Sequence, residues 1–317
     1  MSISSRKSAQ RITPNFIPEA GAEPFPGYRL LQLRGRGAFA TVWETVNPNG
    51  EHIALKFMST QNGVIASREI RSLQCIQALN HPHLSRIQQI WCMPGYIAIA
   101  MELADASLLD LMLLYREEYQ RELDKDKVIE HLNQVASALD YLNARKHNVD
   151  GRLVGYQHGD IKPNNILLTS NNAQLADYGL ATPTSGTYTP CNRQGTIEYT
   201  APEVFQGYLT EFSDQFSLAV SYYLLRTANF PYPAPPANPA TMKGYTRVAP
   251  NLMLLPIEER PVVLRALSTI PQNRFPNCKA FITALMKTTE LEELHAVPPS
   301  HLFRASSRQS DSTVSDA

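Results

Sequence analysis

Tyr156-Gln-His158-Gly159-Asp160-Ile-Lys162-Pro-Asn-Asn165-Ile166-Leu167-Leu-Thr169-Ser-Asn-Asn172-Ala173-Gln-Leu-Ala176-Asp177-Tyr178-Gly179 decides how this chain is read. Ile166 to Thr169 is one short apolar run and Ala173 to Ala176 is another, with Ser170-Asn171-Asn172 between them. Asn tolerates positive φ, so the connecting residues suit a tight turn and the whole reads as a β-hairpin. A hairpin brings the residues before its first strand close to those after its second. Asp160, Lys162, Asn165 and Asp177 are therefore expected to converge at its open end.

Two carboxylates, an amide oxygen and an ammonium in one place suit a polyphosphate carried with a hard cation. Mg²⁺ takes oxygen ligands, which Asn165 and Asp177 offer, and usually keeps waters and phosphate oxygens at its other positions. Asp160 can accept the proton of an incoming hydroxyl, and Lys162 can neutralise charge building on a transferred group. His158-Gly159-Asp160-Ile-Lys162-Pro-Asn-Asn165 and Asp177-Tyr178-Gly179 resemble the catalytic loop and the Asp-Phe-Gly motif of eukaryotic-type protein kinases. The resemblance implies an α+β fold of two lobes. The small lobe would hold an antiparallel sheet and one helix, the large lobe would be mainly helical, and ATP would lie in the cleft.

A chain of 317 residues can bury enough core for such a two-lobed domain. Lys and Arg total 29 and Asp and Glu total 29, a balance that argues against a general nucleic-acid or membrane-surface binder. Cys75, Cys92, Cys191 and Cys278 are scattered without a Cys-x-x-Cys pair. That points away from zinc and disulfide frameworks and toward a reducing cytoplasm. The basic N-terminus has no apolar run behind it, and the windows Ile97 to Tyr115 and Phe216 to Phe230 are broken by charges or too short for a bilayer. A soluble protein with no membrane span is expected. Residues 1–27 read as a flexible leader and 291–317 as a disordered Ser-rich tail.

Tyr28 to Arg34 alternates like a strand and runs into Gly35-Arg-Gly37-Ala-Phe-Ala40-Thr-Val42. Glycines between strands let backbone N–H groups close over phosphates. The stretch resembles the kinase glycine-rich loop, with Ala40 in place of its third glycine. In the strand Glu51 to Met58, Ile53, Leu55 and Phe57 share one face while Ala54 and Lys56 share the other. A cation in so apolar a strand needs a partner if buried. A helix is expected from about Ile65 to Leu79, with Ile65, Glu69, Leu73 and Ile76 on one stripe. Glu69 is then an acid on an apolar face, and Lys56 is its natural mate.

Ile-Ala-Leu-Lys56 resembles the kinase Val-Ala-Ile-Lys motif, which implies that Lys56 contacts the α and β phosphates of ATP. By the same resemblance Val42 and Ala54 roof the adenine, and Leu167 counts with the nucleotide-binding residues. After a strand from Ile97 to Met101, Glu102-Leu103-Ala104 resembles the hinge between lobes, with Met101 guarding the pocket behind it. Val128, Leu132, Val135, Leu139 and Leu142 form the apolar stripe of a long helix. Ala144 to Tyr156 reads as a loop.

The segment from Asp177 to Glu203 resembles an activation segment closed by Gly195-Thr196-Ile-Glu-Tyr-Thr-Ala201-Pro202-Glu203. Ser213 is expected to cap a helix running through Tyr223. By resemblance, Asp214 braces the catalytic loop and Arg274 pairs with Glu203. Gly159 stands where the family usually carries an arginine that receives a phosphate from the activation segment. Activity that does not require such phosphorylation is therefore expected.

The resemblance covers most of the chain, with a kinase domain at 28–290. Its small lobe is expected at 28–101, its hinge at 102–104 and its large lobe at 105–290. It implies a serine/threonine protein kinase that uses ATP and Mg²⁺ and phosphorylates hydroxyls of proteins, itself included among the candidate acceptors. Lys162 with Gly195-Thr196 favours Ser and Thr acceptors, by family analogy. The alternative is a pseudokinase scaffold that binds nucleotide or partners without catalysis.

Overall fold

The computed structural model describes residues 17–37, 40–59, 70, 73–93, 95–149, 151–170, 172–186, 188–191, 195–235 and 245–296. Alternating side chains make five antiparallel strands: β1 (Arg29–Arg36), β2 (Ala40–Val46), β3 (His52–Ser59), β4 (Ile87–Met93) and β5 (Tyr96–Glu102). They form one sheet in the order β1-β2-β3-β5-β4. The β2–β3 turn is built by Asn47, whose Oδ1 accepts from the backbone N–H of Asn49 and Glu51 at 2.9 and 3.0 Å. Ile53, Leu55 and Phe57 bury with Leu30 and Trp43 on one face of the sheet. Ala54 and Lys56 turn to the other, toward the cleft.

Residues 17–27, read from composition as part of a leader, include a docked stretch. Leu30 N donates to Ala22 O at 2.9 Å, and Phe25 stacks on Trp91 at 4.1 Å between ring centroids. The aromatic partner on β4 is distant in sequence, so nothing local announces this contact. Residues 1–16 and 297–317, the rest of the expected leader and most of the expected tail, lie outside the described residues. Of the expected helix at 65–79, residues 70 and 73–77 are helical and bury Leu73 and Ile76. Glu69, and with it the expected Lys56–Glu69 pair, lies outside the described residues.

The second lobe is mainly helical: α1 (Leu108–Glu118), α2 (Lys125–Asn143), α3 (Pro202–Phe205), α4 (Ser213–Thr227), α5 (Arg260–Ala266) and α6 (Cys278–Ala296). Ser107 and Asp110 close a capping box on α1. The expected stripe on α2 is fully buried. Short strands complete the lobe: β6 (Ala106–Ser107), β7 (His147–Val149), β8 (Arg152–Gln157), β9 (Ile166–Thr169), β10 (Asn172–Leu175), β11 (Thr182–Thr184), β12 (Thr189–Pro190) and β13 (Tyr208–Leu209). β9 and β10 form the hairpin read from the sequence. Among the described residues, no helix is long and apolar enough to cross a membrane.

Two expectations are corrected. The stretch 144–156 is not a plain loop but the hairpin β7–β8, and β11 pairs with the other edge of β8. Gly151 makes its turn at φ 80° and donates to Asn148 Oδ1 at 2.9 Å. A three-residue strand gives too little periodicity to be read, and β11 comes from beyond the β9–β10 hairpin. Ser213 does not cap α4, whose N-cap is Phe212. Its hydroxyl donates instead to Glu203 Oε1 at 2.8 Å, because a buried carboxylate there needs donors.

Glu203 and Arg274 meet as expected, buried and bidentate. Nη1 lies 2.8 Å from Oε1 and Nη2 lies 2.8 Å from Oε2. Removing one member of such a pair leaves an uncompensated buried charge, which costs about 3–5 kcal/mol. Arg274→Ala should lower the unfolding free energy by about that amount in urea titrations. The Glu203→Ala/Arg274→Ala double variant should lose less than the sum of the two single losses.

Candidate active site

The site is organised from below by α4. Asp214, in its first turn, accepts from His158 N at 2.6 Å and from Gly159 N at 2.9 Å. Gly159 sits at φ 79°, a left-handed conformation that glycine reaches without a Cβ penalty. Burial pushes the Asp214 carboxyl up, and His158 with the two amides offsets only part of that rise. The His158 ring completes the floor, with Nε2 at 3.0 Å from Ala176 O.

Beyond Gly159 the loop presents Asp160. Lys162 Nζ donates to its Oδ2 at 2.8 Å, and Asn165 Nδ2 donates to the same oxygen at 3.0 Å. Thr196 covers Oδ1, its N–H at 2.8 Å and its hydroxyl at 2.9 Å, while accepting from Lys162 Nζ at 2.7 Å. Burial pulls the Asp160 carboxyl upward. The Lys162 ammonium and the Thr196 donors outweigh it, so the group lies below its ordinary range. Gly195 permits this closeness: a Cβ there would meet the Gly159 carbonyl oxygen and stand 2.8 Å from Asp160 Oδ1.

Asp177 takes φ 66°, a left-handed value that Asp tolerates better than most residues. Its Oδ1 lies 2.6 Å from Lys56 Nζ, so the described partner of Lys56 is Asp177. Burial raises the Asp177 carboxyl, Lys56 more than reverses that, and the net direction is down. Tyr178 is buried, and its hydroxyl reaches Leu175 O at 2.5 Å and Ser85 O at 3.2 Å. Burial pushes that hydroxyl's pKa up, which keeps it a donor.

These groups border a cleft of about 310 Å³ between the lobes. Gly35, Val42 and Ala54 form its roof, Met101, Glu102 and Ala104 its hinge wall, and Leu167 its apolar floor. Lys56, Asn165 and Asp177 line its polar end. Of the residues singled out from sequence, Gly37 and Ala40 do not line the cleft. They close the β1–β2 tip, Gly37 N donating to Ala40 O at 2.8 Å, with residues 38 and 39 outside the described set. Asp160 and Lys162 stand beside the cleft, joined to it through Asn165.

Sequence reasoning missed several contributors. Thr196 entered only as a specificity marker, yet it covers one oxygen of Asp160. His158 ties its loop to Ala176 through its ring, and Ser107 and Asp110 line the cleft beyond the hinge. The motif at Gly195-Thr196 could have raised the first. The others had no signal beyond residue type.

A cleft of this size lies within the range of small-molecule sites, apolar walls with few polar groups. Its hard oxygen donors Asn165 and Asp177 suit Mg²⁺. Because Nδ2 of Asn165 is engaged with Asp160, Oδ1 is the atom with lone pairs left for a cation.

The two lobes, the hinge wall and the polar floor define the bilobal kinase fold. The chain belongs to the protein kinase domain family, which it matches over residues 28–293. Serine/threonine-protein kinase PknF of Mycobacterium tuberculosis is 29% identical over 289 residues, covering 85% of this chain and 58% of the relative. Serine/threonine-protein kinase PknE of the same organism is 29% identical over 269 residues, 80% of this chain and 44% of the relative. Sucrose non-fermenting protein kinase 1 of Fusarium virguliforme is 28% identical over 215 residues, 65% of this chain and 28% of the relative. The chain thus spans 58% or less of these relatives' own lengths.

Two measurements check the geometry. Gly195→Ala should cut phosphate transfer by about tenfold to a hundredfold, because a misplacement near 1 Å carries that cost. Lys162 and Thr196 favour the ionised form of Asp160, so phosphate transfer that uses this carboxylate should fall as pH drops through its depressed pKa. Thr196→Val removes one donor and should move that acidic limb of the pH–rate profile upward.

Proposed function

We propose that this chain is a serine/threonine protein kinase that transfers the γ-phosphate of ATP to hydroxyls of proteins. The observation that carries the reading is the connected set Lys56–Asp177 and Asn165–Asp160–Lys162–Thr196, held at the polar end of a nucleotide-sized cleft. Domain limits at 28–290, with the hinge at 102–104, fit this arrangement.

Asn165 and Asp177 would hold Mg²⁺, which when bound offsets negative charge on the phosphates. Lys56 would reach the α and β phosphates, and the ring of Val42, Ala54 and Leu167 would enclose the base. Asp160 receives the acceptor hydroxyl's proton at Oδ1 or Oδ2. Its depressed pKa makes it a weak base, which suffices where phosphoryl transfer is loose and the proton leaves late. Lys162 stays within hydrogen-bond reach of Asp160 and can follow charge onto the transferred group. Scattered cysteines that form no disulfide among the described residues fit a reducing, cytoplasmic setting.

Regulation follows from how the activation segment is held. β11 pairs with β8, β12 pairs with β13, Cys191 N donates to Gly207 O at 2.8 Å, and Thr184 is buried. These backbone bonds hold the described parts of the segment without a phosphate, and Gly159 offers no guanidinium to receive one. Activity that needs no phosphorylation in 182–196 is the consequence.

Asp160→Asn should abolish ³²P transfer from ATP to myelin basic protein and to the chain itself, with ATP affinity unchanged. Nucleotide binding by the wild-type chain with no transfer to any protein would favour a non-catalytic scaffold instead. Phosphatase treatment should leave wild-type activity within twofold. Silencing that is reversed by phosphorylation in 182–196 would sink the regulatory reading.

A further inference from the structure

Arg247 is a buried cation with an unusual set of partners. It is 5% exposed, and among the described residues no carboxylate lies within salt-bridge distance of it. Its guanidinium is satisfied by backbone carbonyls of a single turn. Nη2 donates to Ile197 O at 2.6 Å, Glu198 O at 3.0 Å and Thr200 O at 2.9 Å, and Nε donates to Thr200 O at 3.1 Å. The Tyr232 ring lies 4.6 Å from the guanidinium carbon, with Phe205 at 5.5 Å and Phe216 at 5.6 Å. A planar, weakly hydrated guanidinium fits that sandwich, whereas a lysine ammonium offers no fork for several carbonyls at once.

The turn it holds begins at the residue that touches Asp160. Tyr199 N and Thr200 Oγ1 both donate to Thr196 O, at 3.0 Å each, while Ser217 Oγ donates to Tyr199 O at 2.8 Å. Arg247 therefore completes the hydrogen bonding of a ledge that runs from the Asp160 contact outward. On its outer side Arg247, Glu198, Phe230, Tyr232, Pro233 and Pro235 line a recess of about 200 Å³. The nucleotide cleft shares none of these six residues.

We propose that Arg247 is a positioning residue for the protein acceptor: by clamping the 197–200 turn it fixes the ledge on which an acceptor chain lies beside Asp160. The inference rests on the kinase reading above. It assigns Arg247 no part in nucleotide binding, because none of the residues it touches lines the nucleotide cleft. A loosened turn costs the acceptor its bound geometry and leaves the ATP site intact. The KM for protein should therefore move alone.

The test uses the full chain, with myelin basic protein as acceptor and Arg247→Met and Arg247→Lys as variants. Arg247→Met should raise the acceptor KM tenfold or more with the ATP KM within twofold of wild type. Arg247→Lys, which keeps the charge and the apolar stem, should raise it about threefold. An unchanged acceptor KM in the Lys and Met variants overturns the proposal, and so does a parallel rise of both KM values with a falling Tm. If the Met variant does not fold, the Lys variant decides alone: an acceptor KM within 1.5-fold of wild type overturns the clamp. A wild-type chain that transfers no phosphate to any acceptor overturns the kinase reading itself, a result distinct from all of these.

Discussion

Everything at the site hangs from one buried carboxylate. Asp214 takes two consecutive backbone N–H groups, those of His158, which is fully buried, and of Gly159. Unpaired, each of those amides would cost the full desolvation of a buried donor. Paired, they hold the chain in a bend that only glycine adopts freely at position 159. The His158 ring passes the constraint to Ala176, the neighbour of Asp177. Gly159 passes it to Gly195, whose missing side chain lets Thr196 close on Asp160. Both halves of the site are thus referenced to one oxygen pair on α4.

Buried charges elsewhere carry the scaffold on which this reference is steady. Glu259 is fully buried and accepts from Tyr222 at 2.7 Å and Arg226 at 3.2 Å, with Lys125 at 3.6 Å. Glu203 and Arg274 join the segment after Thr196 to the far end of the lobe. Such pairs add little net stability over apolar packing, because desolvation offsets much of their attraction. They do penalise every arrangement in which the partners are apart. That penalty favours a single placement of the segment 195–203.

Three positions depart from the family pattern. Gly159 stands where the family usually carries an arginine, and β11 and β12 pair with β8 and β13. Tyr178 adds a hydroxyl to a position that is usually phenylalanine. That hydroxyl reaches the carbonyls of Leu175 on β10 and of Ser85 just before β4, so the residue after Asp177 is tied to both lobes. Ala40 closes the β1–β2 tip through its carbonyl, a bond any residue could make.

Turn chemistry and periodicity made much of this legible. Ser170 to Asn172 between two apolar runs dictated a hairpin, and the hairpin brought Asn165 and Asp177 to one cleft and set Asp160 and Lys162 beside it. Period-two alternation in β3 separated Ala54 and Lys56 from Ile53, Leu55 and Phe57, because successive Cβ atoms in a strand point to opposite faces. These are outcomes of forces that act over a few residues, and a sequence carries them in order. The tertiary structure alone decided which distant group answers each buried one: Asp177 against Lys56, Glu203 against Ser213, β11 against β8, Arg247 against the carbonyls of the 197–200 turn. A buried polar atom announces that it needs a partner, but its partner is whatever the packed chain brings within about 3 Å. No spacing along the chain encodes that.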